Sequence, residues 1–282
     1  MIRDCNSNYL ESKDIEIQLL LEAIYLKYGY DFRDYSKAHL KRRIMHRLSV
    51  SGFESISQMQ YQILYDRTFL ENLLTDFSIN VTEMFRDPPF YKVFRQEVIP
   101  VLKTYPFIKI WHAGCSSGEE VYSMAILLKE EGLYERTQIY ATDFNVEVLA
   151  KAKQAIYPID DIKDYTYNYQ QSGGLTSFAD YYIAKYDSVI LDQSLKDKII
   201  FADHNLVTDG VFGEMHVVIC RNVLIYFNRE LQNKVFKLFY ESLRKGGFLG
   251  IGTKESLRFS NHFEKFKVIS EDLNIYQKKF EV

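Results

Sequence analysis

The sequence is poor in cysteine and histidine and has no long apolar run. Its three cysteines, Cys5, Cys115 and Cys220, are an odd number without a pairing pattern, so a disulfide-stabilised fold is not expected. The six histidines show no ligand spacing with cysteine or acid, so no metal site is predicted. No apolar run approaches about 18 residues and no charged-then-apolar leader opens the chain. We therefore expect a protein of the reducing cytoplasm that is not inserted into a membrane.

Charge of one sign is also not in large excess. The formal net charge is -3 for 282 residues, and the isoelectric point lies near 6.1. Basic and aromatic residues are not interleaved in the way that nucleic-acid binding requires, so no nucleic-acid partner is predicted. The apolar content of 47% is enough for one large core and one small core.

The pattern of apolar residues changes along the chain and predicts two domains. Residues 14–78 contain no proline and repeat apolar positions at spacings of three and four, which is typical of helices. Later segments alternate short apolar runs with helical patterns, which predicts a doubly wound α/β fold. We place the all-helical domain at 10–82 and the α/β domain at 83–282. Within the latter, residues 157–198 interrupt the rhythm with many tyrosines and predict an inserted antiparallel hairpin unit.

One candidate site follows an apolar segment near the end of the chain. His216 to Cys220 is mostly β-branched and aliphatic, as a central parallel strand should be. Open α/β sheets bind ligands at the carboxyl ends of such strands. Arg221 and Tyr226, which come directly afterwards, are therefore candidate site residues.

A second apolar strand, Phe107 to Trp111, leads into a turn of small residues at 113–118 and then into a helical run. Small residues such as Ala113 and Gly114 let the backbone approach a ligand closely, and the following helix start offers unpaired amide groups. This order of strand, turn and helix is typical of nucleotide sites.

The next strand, Ile139 to Asp143, ends in a carboxylate about 20 residues after the glycine turn, where dinucleotide folds bind ribose hydroxyls. A phosphate ligand fits the turn poorly, since no Gly-Lys-Ser/Thr follows it and the pair Glu119-Glu120 would repel a pyrophosphate. A carboxylate there suits a positively charged ligand. The electrostatics favour S-adenosylmethionine over NAD.

Six segments, in order, resemble the CheR-type chemotaxis receptor glutamate methyltransferases, and the resemblance covers nearly the whole length. The matching segments are Asn80 to Asp87, Ala113 to Glu120, Ala141-Thr142-Asp143, Asn205-Leu206, Arg221 to Phe227 and Gly252 to Leu257.

This resemblance implies a Rossmann-like, doubly wound methyltransferase domain with a small inserted antiparallel β-subdomain, preceded by a small all-α domain. It implies S-adenosyl-L-methionine as the cofactor and S-adenosyl-L-homocysteine as the product. Together with the residue patterns, it assigns Arg86 and Tyr226 as catalytic. It assigns cofactor contacts to Asn80, Thr82, Arg86, Ala113, Gly114, Glu119, Asp143, Asn205, Leu206, Cys220 and Arg221.

Each assignment has a structural alternative that the residues alone leave open. Asn80 and Thr82 could cap a turn or helix at the domain junction. Glu119 could complement a helix dipole for about 0.3 to 1 kcal/mol. Arg86 could pair locally with Asp87, and Asn205 could be an ordinary loop residue.

The implied chemistry is displacement of the activated methyl group by a glutamate carboxylate. A glutamate with an unperturbed pKa of about 4.3 is already ionised at neutral pH, so no general base is required. The enzyme must instead desolvate and align the carboxylate. Arg86 is the candidate to orient it, and the Tyr226 hydroxyl could hydrogen-bond it.

The segment 37–48 carries five cations and no acid, beside an apolar stripe. A solvated basic surface is one interpretation. The resemblance implies that these cations bind the acidic, cytoplasmic helical region of membrane chemoreceptors, so the predicted substrate-binding residues are Lys37, Lys41, Arg42, Arg43 and Arg47. In some family members the β-subdomain also grips a receptor's C-terminal tether, and Gly173-Gly174 leaves that open here. A monomer is expected.

Three other functions remain open at this point. A CheR-like enzyme could methylate another cytoplasmic protein, because cofactor motifs fix the reaction type more tightly than the substrate. A catalytically silent protein that senses S-adenosylmethionine could tolerate the loss of Arg86 or Tyr226, yet both are present. An NAD-dependent oxidoreductase would favour a turn without the Glu119-Glu120 pair.

Overall fold

A computed structural model describes residues 11–77 and 82–280. Contacts within the chain divide it into two compact units. The first unit is Met1–Ile79 with Tyr226–Asn228, and the second is Asn80–Ile225 with Arg229–Val282.

The first unit is built from helices, as predicted. The helices are α1 (Ser12–Tyr28), α2 (Lys37–Ser51), α3 (Ile56–Tyr65) and α4 (Arg67–Phe77). Gly29 and Gly52 end α1 and α2 in the left-handed conformation, which glycine adopts without strain. The apolar positions at spacings of three and four face inward and form a core that includes Leu20, Ile24, Leu40, Ile44, Met59, Ile63, Leu73 and Phe77.

The basic helix α2 is only partly a free cationic surface. The Nζ of Lys41 lies 2.7 Å from Asp14, and the Nε of Arg47 lies 2.5 Å from Asp76. Lys37 and Arg42 are exposed and form no ion pair with any described residue. Lys41 and Arg47 therefore also hold helices of the same unit together, and their predicted role in substrate binding stays a prediction.

The second unit is an α/β fold around a seven-stranded sheet. Its helices are α5 (Pro88–Val93), α6 (Ile99–Leu102), α7 (Glu119–Glu130), α8 (Val146–Gln154), α9 (Ile162–Gln171) and α10 (Arg229–Ser242), with a π-helical turn at Phe94–Val98. The strands of the large sheet are β1 (Ile108–Ala113), β2 (Thr137–Asp143), β6 (Ile199–Asp203), β7 (Met215–Cys220), β8 (Leu243–Ile251), β9 (Phe266–Ser270) and β10 (Ile275–Lys278).

The strand order β6-β2-β1-β7-β8-β10-β9 places a topological switch at β1. Strands β2 and β7 run parallel to β1 on its two sides, so the chain leaves β1 in one direction and later returns on the other. The register brings Ala113 opposite Thr142 and Asp143 opposite Asp203. The carboxyl ends of β1, β2, β6 and β7 therefore share one edge, which is where doubly wound sheets bind ligands.

The predicted insertion is confirmed as a small antiparallel sheet. Strands β3 (Ile156–Pro158), β4 (Tyr182–Lys185) and β5 (Ser188–Leu191) pair in the order β3-β5-β4, with α9 beside them. Glu130 in α7 accepts hydrogen bonds from the hydroxyls of Tyr169 and Tyr181 and from the amide of Leu175. This buried carboxylate ties the insertion to the main sheet's helical layer. Across the two described ranges, no helix combines the length and apolarity needed to cross a bilayer.

Candidate functional site

The small-residue turn after β1 packs closely against neighbouring parts of the protein. Gly114, Ser116 and Gly118 all have positive φ angles, of 79°, 50° and 95°. The amides of Gly114 and Cys115 both donate to the carbonyl of Thr142, at 2.8 and 2.9 Å. A Cβ at position 114 would lie 2.5 Å from Cγ2 of Val223, so only glycine fits there.

Asp143 organises this turn from the end of β2. One carboxylate oxygen accepts from the amide of Ser116 at 2.9 Å, and the other accepts from the amide of Asn145 at 3.0 Å. Burial raises the pKa of Asp143, and backbone hydrogen bonds from Asn145, Ser116 and Phe144 oppose the shift. A carboxylate has about four lone-pair sites, so it can still accept a hydrogen bond from a ligand hydroxyl.

Asn145 is a candidate contact that the sequence reasoning missed. Its side-chain oxygen caps α8 by accepting from the amide of Glu147 at 2.9 Å. Its Nδ2 is buried and has no hydrogen-bond partner within residues 11–77 and 82–280. Buried donors are usually satisfied, so this amide is available to a ligand beside Asp143. The sequence did contain a signal for this contact, because Asn145 lies two positions after Asp143, the acid that ends a strand.

A cavity of about 600 Å³ brings together three of the predicted site residues, Thr82, Arg86 and Glu119. This volume lies in the range of about 300 to 1,000 Å³ that small-molecule sites occupy. The other residues that line it are Glu83, Ser117, Lys151, Gln154, Ile156, Tyr157, Pro158, Asp161, Asp164 and Tyr165.

The cavity is acidic. Its lining contains four acids, Glu83, Glu119, Asp161 and Asp164, and two cations, Arg86 and Lys151. Four negative and two positive groups give a net charge of -2 when all are ionised. The cavity therefore suits a ligand that carries positive charge.

Glu119, at the first position of α7, is the most perturbed of these acids. It is 5% exposed, and burial raises its pKa to about 7. Ser117 partly compensates, because its hydroxyl donates to the two carboxylate oxygens at 2.8 and 3.0 Å. A cation placed beside Glu119 would relieve the cost of burying its charge.

The inserted subdomain supplies a cavity wall that the sequence reasoning did not assign. Tyr157 in β3 donates its hydroxyl hydrogen to the carbonyl of Ser117 at 2.9 Å, which fixes the turn immediately before Glu119. Tyr165 in α9 lines the same cavity and is buried. The abundance of tyrosine in the insertion was visible in the sequence, but it did not show which rings face inward.

Glu255 holds the loop that follows β7. Its carboxylate accepts from the amides of Val223 and Leu224, at 2.8 and 2.7 Å, and also from the amide of Gly252. The segment Gly252 to Leu257 was singled out as a motif without a role. The structure shows that it supports the loop beside Gly114.

Cys220 and Arg221 have partners within the protein, and their predicted cofactor contacts stay predictions. Cys220 is fully buried in the sheet, and burial raises the pKa of its thiol. The guanidinium of Arg221 donates to Glu120 at 3.0 Å and to Asp87 at 2.7 Å. Among the described residues that line the cavity, neither occurs. Their side chains are used within the protein.

The remaining predicted residues lie in three places. The side chain of Asn205, after β6, accepts from the amide of Val207 at 2.9 Å, and Leu206 is buried beside it. This turn matches the structural alternative, and neither residue lines the cavity within the described part of the chain. Tyr226 groups with the helical unit, where its ring centroid lies 4.6 Å from that of His39. Asn80 lies outside the described residues.

The site contains features that fit S-adenosylmethionine. Thr82, Arg86 and Glu119 line one cavity, Asn145 offers an unsatisfied donor, and Glu119 provides a buried carboxylate for a positive charge. Within residues 11–77 and 82–280, no three His, Cys, Asp or Glu side chains are grouped so that they could hold a metal ion.

Known proteins resemble the chain in both units. Residues 80–274 match the SAM-binding domain of CheR methyltransferases, and residues 15–78 match the all-alpha domain of the same family. Cher3 of Pseudomonas putida, a candidate methyltransferase, is 52% identical over 265 residues, which cover 94% of this chain and 97% of that protein. A chemotaxis protein methyltransferase of Borreliella burgdorferi is 29% identical over 275 residues, which cover 92% and 94%.

Among solved structures, the N-methyltransferase NodS from Bradyrhizobium japonicum, in complex with S-adenosyl-L-homocysteine, matches with a TM-score of 0.34 and 11% identity. The match covers 60% of this chain and 62% of NodS. The two domain matches, in the order and positions of the two predicted domains, carry the assignment. The chain belongs to the CheR methyltransferase family, and S-adenosylmethionine is its cofactor.

Proposed function

We propose that this protein methylates glutamate side chains in the cytoplasmic helical region of membrane chemoreceptors and forms γ-glutamyl methyl esters. Several relatives that align over most of the chain are chemotaxis protein methyltransferases. The observation that carries the proposal is the acidic cavity in which Thr82, Arg86 and Glu119 meet. If receptors are the substrate, the enzyme acts in the cytoplasm and tunes receptor signalling.

Glu119 is the group that favours a cationic ligand. The cofactor supplies a methyl group that is activated by a positively charged sulfonium. Because Glu119 is buried at the start of α7, it is well placed to stabilise positive charge in the cavity that it lines. Thr82 lines the same cavity and offers a hydroxyl there.

Arg86 is the cation that would receive the substrate carboxylate. Guanidinium groups pair with carboxylates in a bidentate, planar geometry, so Arg86 can both attract and orient a glutamate. The substrate glutamate needs no general base, because its pKa of about 4.3 leaves it ionised at neutral pH. Tyr226 is proposed to donate a hydrogen bond to the same carboxylate.

The helix α2 is proposed to bind the receptor through Lys37 and Arg42. Both side chains are exposed, whereas Lys41 and Arg47 are engaged with Asp14 and Asp76. We therefore expect charge reversal at Arg42 to weaken receptor binding. The acidic helical surface of a receptor is the complementary partner.

The test uses receptor-containing membranes and methyl-labelled S-adenosylmethionine. Carboxyl methyl esters release volatile methanol on base treatment, so base-labile label is the readout. Arg86→Ala and Tyr226→Phe should abolish most of the release, and Arg42→Glu should raise the receptor concentration needed for half-maximal rate. Lys13→Glu, an exposed cation on α1, is the matched control and should leave that concentration unchanged.

Two results would contradict the proposal. Wild-type protein that binds S-adenosylhomocysteine but releases no methanol with receptors would point to another protein substrate or to a sensor. Full activity of Arg86→Ala with unchanged cofactor affinity would remove Arg86 from the chemistry.

A further inference from the structure

The segment that carries Arg86 has an energetically disfavoured backbone conformation. Phe85 and Asp87, on either side of Arg86, have φ angles of 54° and 56°. Residues other than glycine are disfavoured in this left-handed region, and they adopt it only when the surrounding structure enforces that conformation. Two such residues within three positions mean that neighbouring elements must hold residues 84–87, which we call the Arg86 loop.

Arg221 contacts this loop from the end of β7. Its Nη2 donates to the carbonyl of Arg86 at 3.1 Å and to the carboxylate of Asp87 at 2.7 Å. Its guanidinium carbon lies 4.4 Å from the ring centroid of Phe90, just after the loop. One side chain thus binds the backbone, the following side chain and the start of α5.

The other contacts of Arg221 anchor it to the first turn of α7. Its Nη1 donates to Glu120 at 3.0 Å, and Glu120 lies 3.0 Å from Nδ1 of His112. The opposite side of the loop is also tied to α7, because the amide of Phe85 donates to the hydroxyl of Ser123 at 2.8 Å. The helix that begins at Glu119 therefore shares its support with the Arg86 loop.

We propose that Arg221 is a positioning residue that fixes the Arg86 loop and affects the cofactor site only through that loop. Its side chain is 1% exposed, and its two terminal nitrogens are already committed to the partners above. Its Nε is buried and has no hydrogen-bond partner within residues 11–77 and 82–280, and Arg221 is not among the described residues that line the cavity. The inference rests on the proposed place of Arg86 in the cofactor site.

The experiment is a double-mutant cycle on S-adenosylhomocysteine binding, measured by titration calorimetry without any receptor. The four proteins are wild type, Arg221→Met, Arg86→Ala and the double variant. We expect Arg221→Met to weaken binding about five- to tenfold in the wild-type background and less than about twofold in the Arg86→Ala background. Arg244→Met is the control, because that guanidinium contacts Tyr105 and His216 instead.

Equal weakening in both backgrounds would mean a direct cofactor contact, and no weakening in the wild-type background would mean no role. Either result overturns the inference without touching the proposed methyl acceptor. The single variant Arg86→Ala, assayed in the same series, reports separately whether the Arg86 role itself is wrong.

A second variant covers the case in which Arg221→Met does not fold, since it leaves the carboxylates of Glu120 and Asp87 without their cation. Asp87→Asn removes only one ion pair, and asparagine tolerates the left-handed conformation at that position. We expect faster amide hydrogen exchange at residues 84–87 and at Phe90, and weaker S-adenosylhomocysteine binding. Unchanged exchange and unchanged affinity in Asp87→Asn would overturn the inference.

Discussion

Cofactor binding should depend on pH because of Glu119. Burial raises the pKa of this carboxyl from 4.5 to about 7 in the ligand-free protein, so it is about half protonated at neutral pH. A positive charge beside it would favour the ionised form. Binding of S-adenosylmethionine should therefore release a proton from Glu119 in the pH range below about 7.

The size of the effect follows from that shift. A change from 4.5 to about 7 corresponds to about 3 kcal/mol between the two protonation states, as an order of magnitude. If the complex restores a low pKa, the dissociation constant should rise about tenfold between pH 8 and pH 6. In Glu119→Gln the profile should be flat, and binding at pH 8 should be weaker than that of wild type.

The same group predicts the pH dependence of folding. The folded pKa of Glu119 lies above its unfolded value, so the folded protein binds more protons between about 4.5 and 7. The contribution of Glu119 to the free energy of unfolding is therefore present at low pH and is lost as the pH rises to about 7. Glu119→Gln should remove this contribution to the slope, and cofactor should stabilise wild type most at high pH.

Titration calorimetry in two buffers with different ionisation enthalpies counts the released protons. Using both S-adenosylmethionine and S-adenosylhomocysteine separates the sulfonium from the amino group. A slope for both ligands assigns the effect to the amino group, and a slope for the first alone assigns it to the sulfonium. A constant affinity between pH 6 and pH 8, or the same slope in Glu119→Gln, would refute the reasoning.

Three further changes test the rest of the site. Arg86→Lys keeps the charge but loses the planar fork, so the initial rate of methyl transfer should fall about 100-fold. Tyr157→Phe removes the hydrogen bond to Ser117, worth about 1 kcal/mol, and should weaken S-adenosylhomocysteine binding about fivefold in calorimetry. Gly114→Ala forces a Cβ to 2.5 Å from Val223 and should lower the free energy of unfolding in urea by about 1 to 3 kcal/mol.

A second variant accompanies both Tyr157→Phe and Gly114→Ala. Tyr122→Phe also removes a buried hydroxyl, which donates to the carbonyl of Ala152, and should lower stability without changing cofactor affinity. Equal affinity losses in Tyr122→Phe and Tyr157→Phe would show that the second is not specific. Val223→Ala should recover part of the stability lost in Gly114→Ala, and no recovery would place the strain in the backbone alone. A normal rate for Arg86→Lys would show that its charge suffices.

The parts of the fold that the sequence predicts are those set by local patterns. Apolar runs mark β1, β2 and β7, and the small residues after β1 predict a tight turn because bulky side chains cannot adopt its backbone. Glu119 is also predicted from a local pattern, since it follows that turn directly and begins the helix. The tyrosine-rich insertion is also visible as a break in the pattern.

Pairing across the chain is what local patterns cannot show. Arg221 was assigned to the ligand because it follows a strand, but its partners Glu120 and Asp87 lie 101 and 134 residues away. Arg47 pairs with Asp76 across 29 residues, so a helix that contains no acid still has one of its cations paired. Tertiary packing likewise decides which face of the insertion lines the cavity, as Tyr157 shows.

The pKa values of the adjacent acids Glu119 and Glu120 are shifted in opposite directions by their surroundings. Burial raises the pKa of Glu119, and no cation is among the causes of its shift. Burial also opposes ionisation of Glu120, but the hydrogen bond with His112 and the charge of Arg221 lower its pKa. Successive residues on a helix point about 100° apart, so the two carboxylates face different partners. One is poised for a cationic ligand in the cavity, and the other holds the arginine that supports the Arg86 loop. In a Gly-Glu-Glu turn, the first acid can thus face a cationic ligand while the second fixes a neighbouring loop, although both lie at the start of one helix.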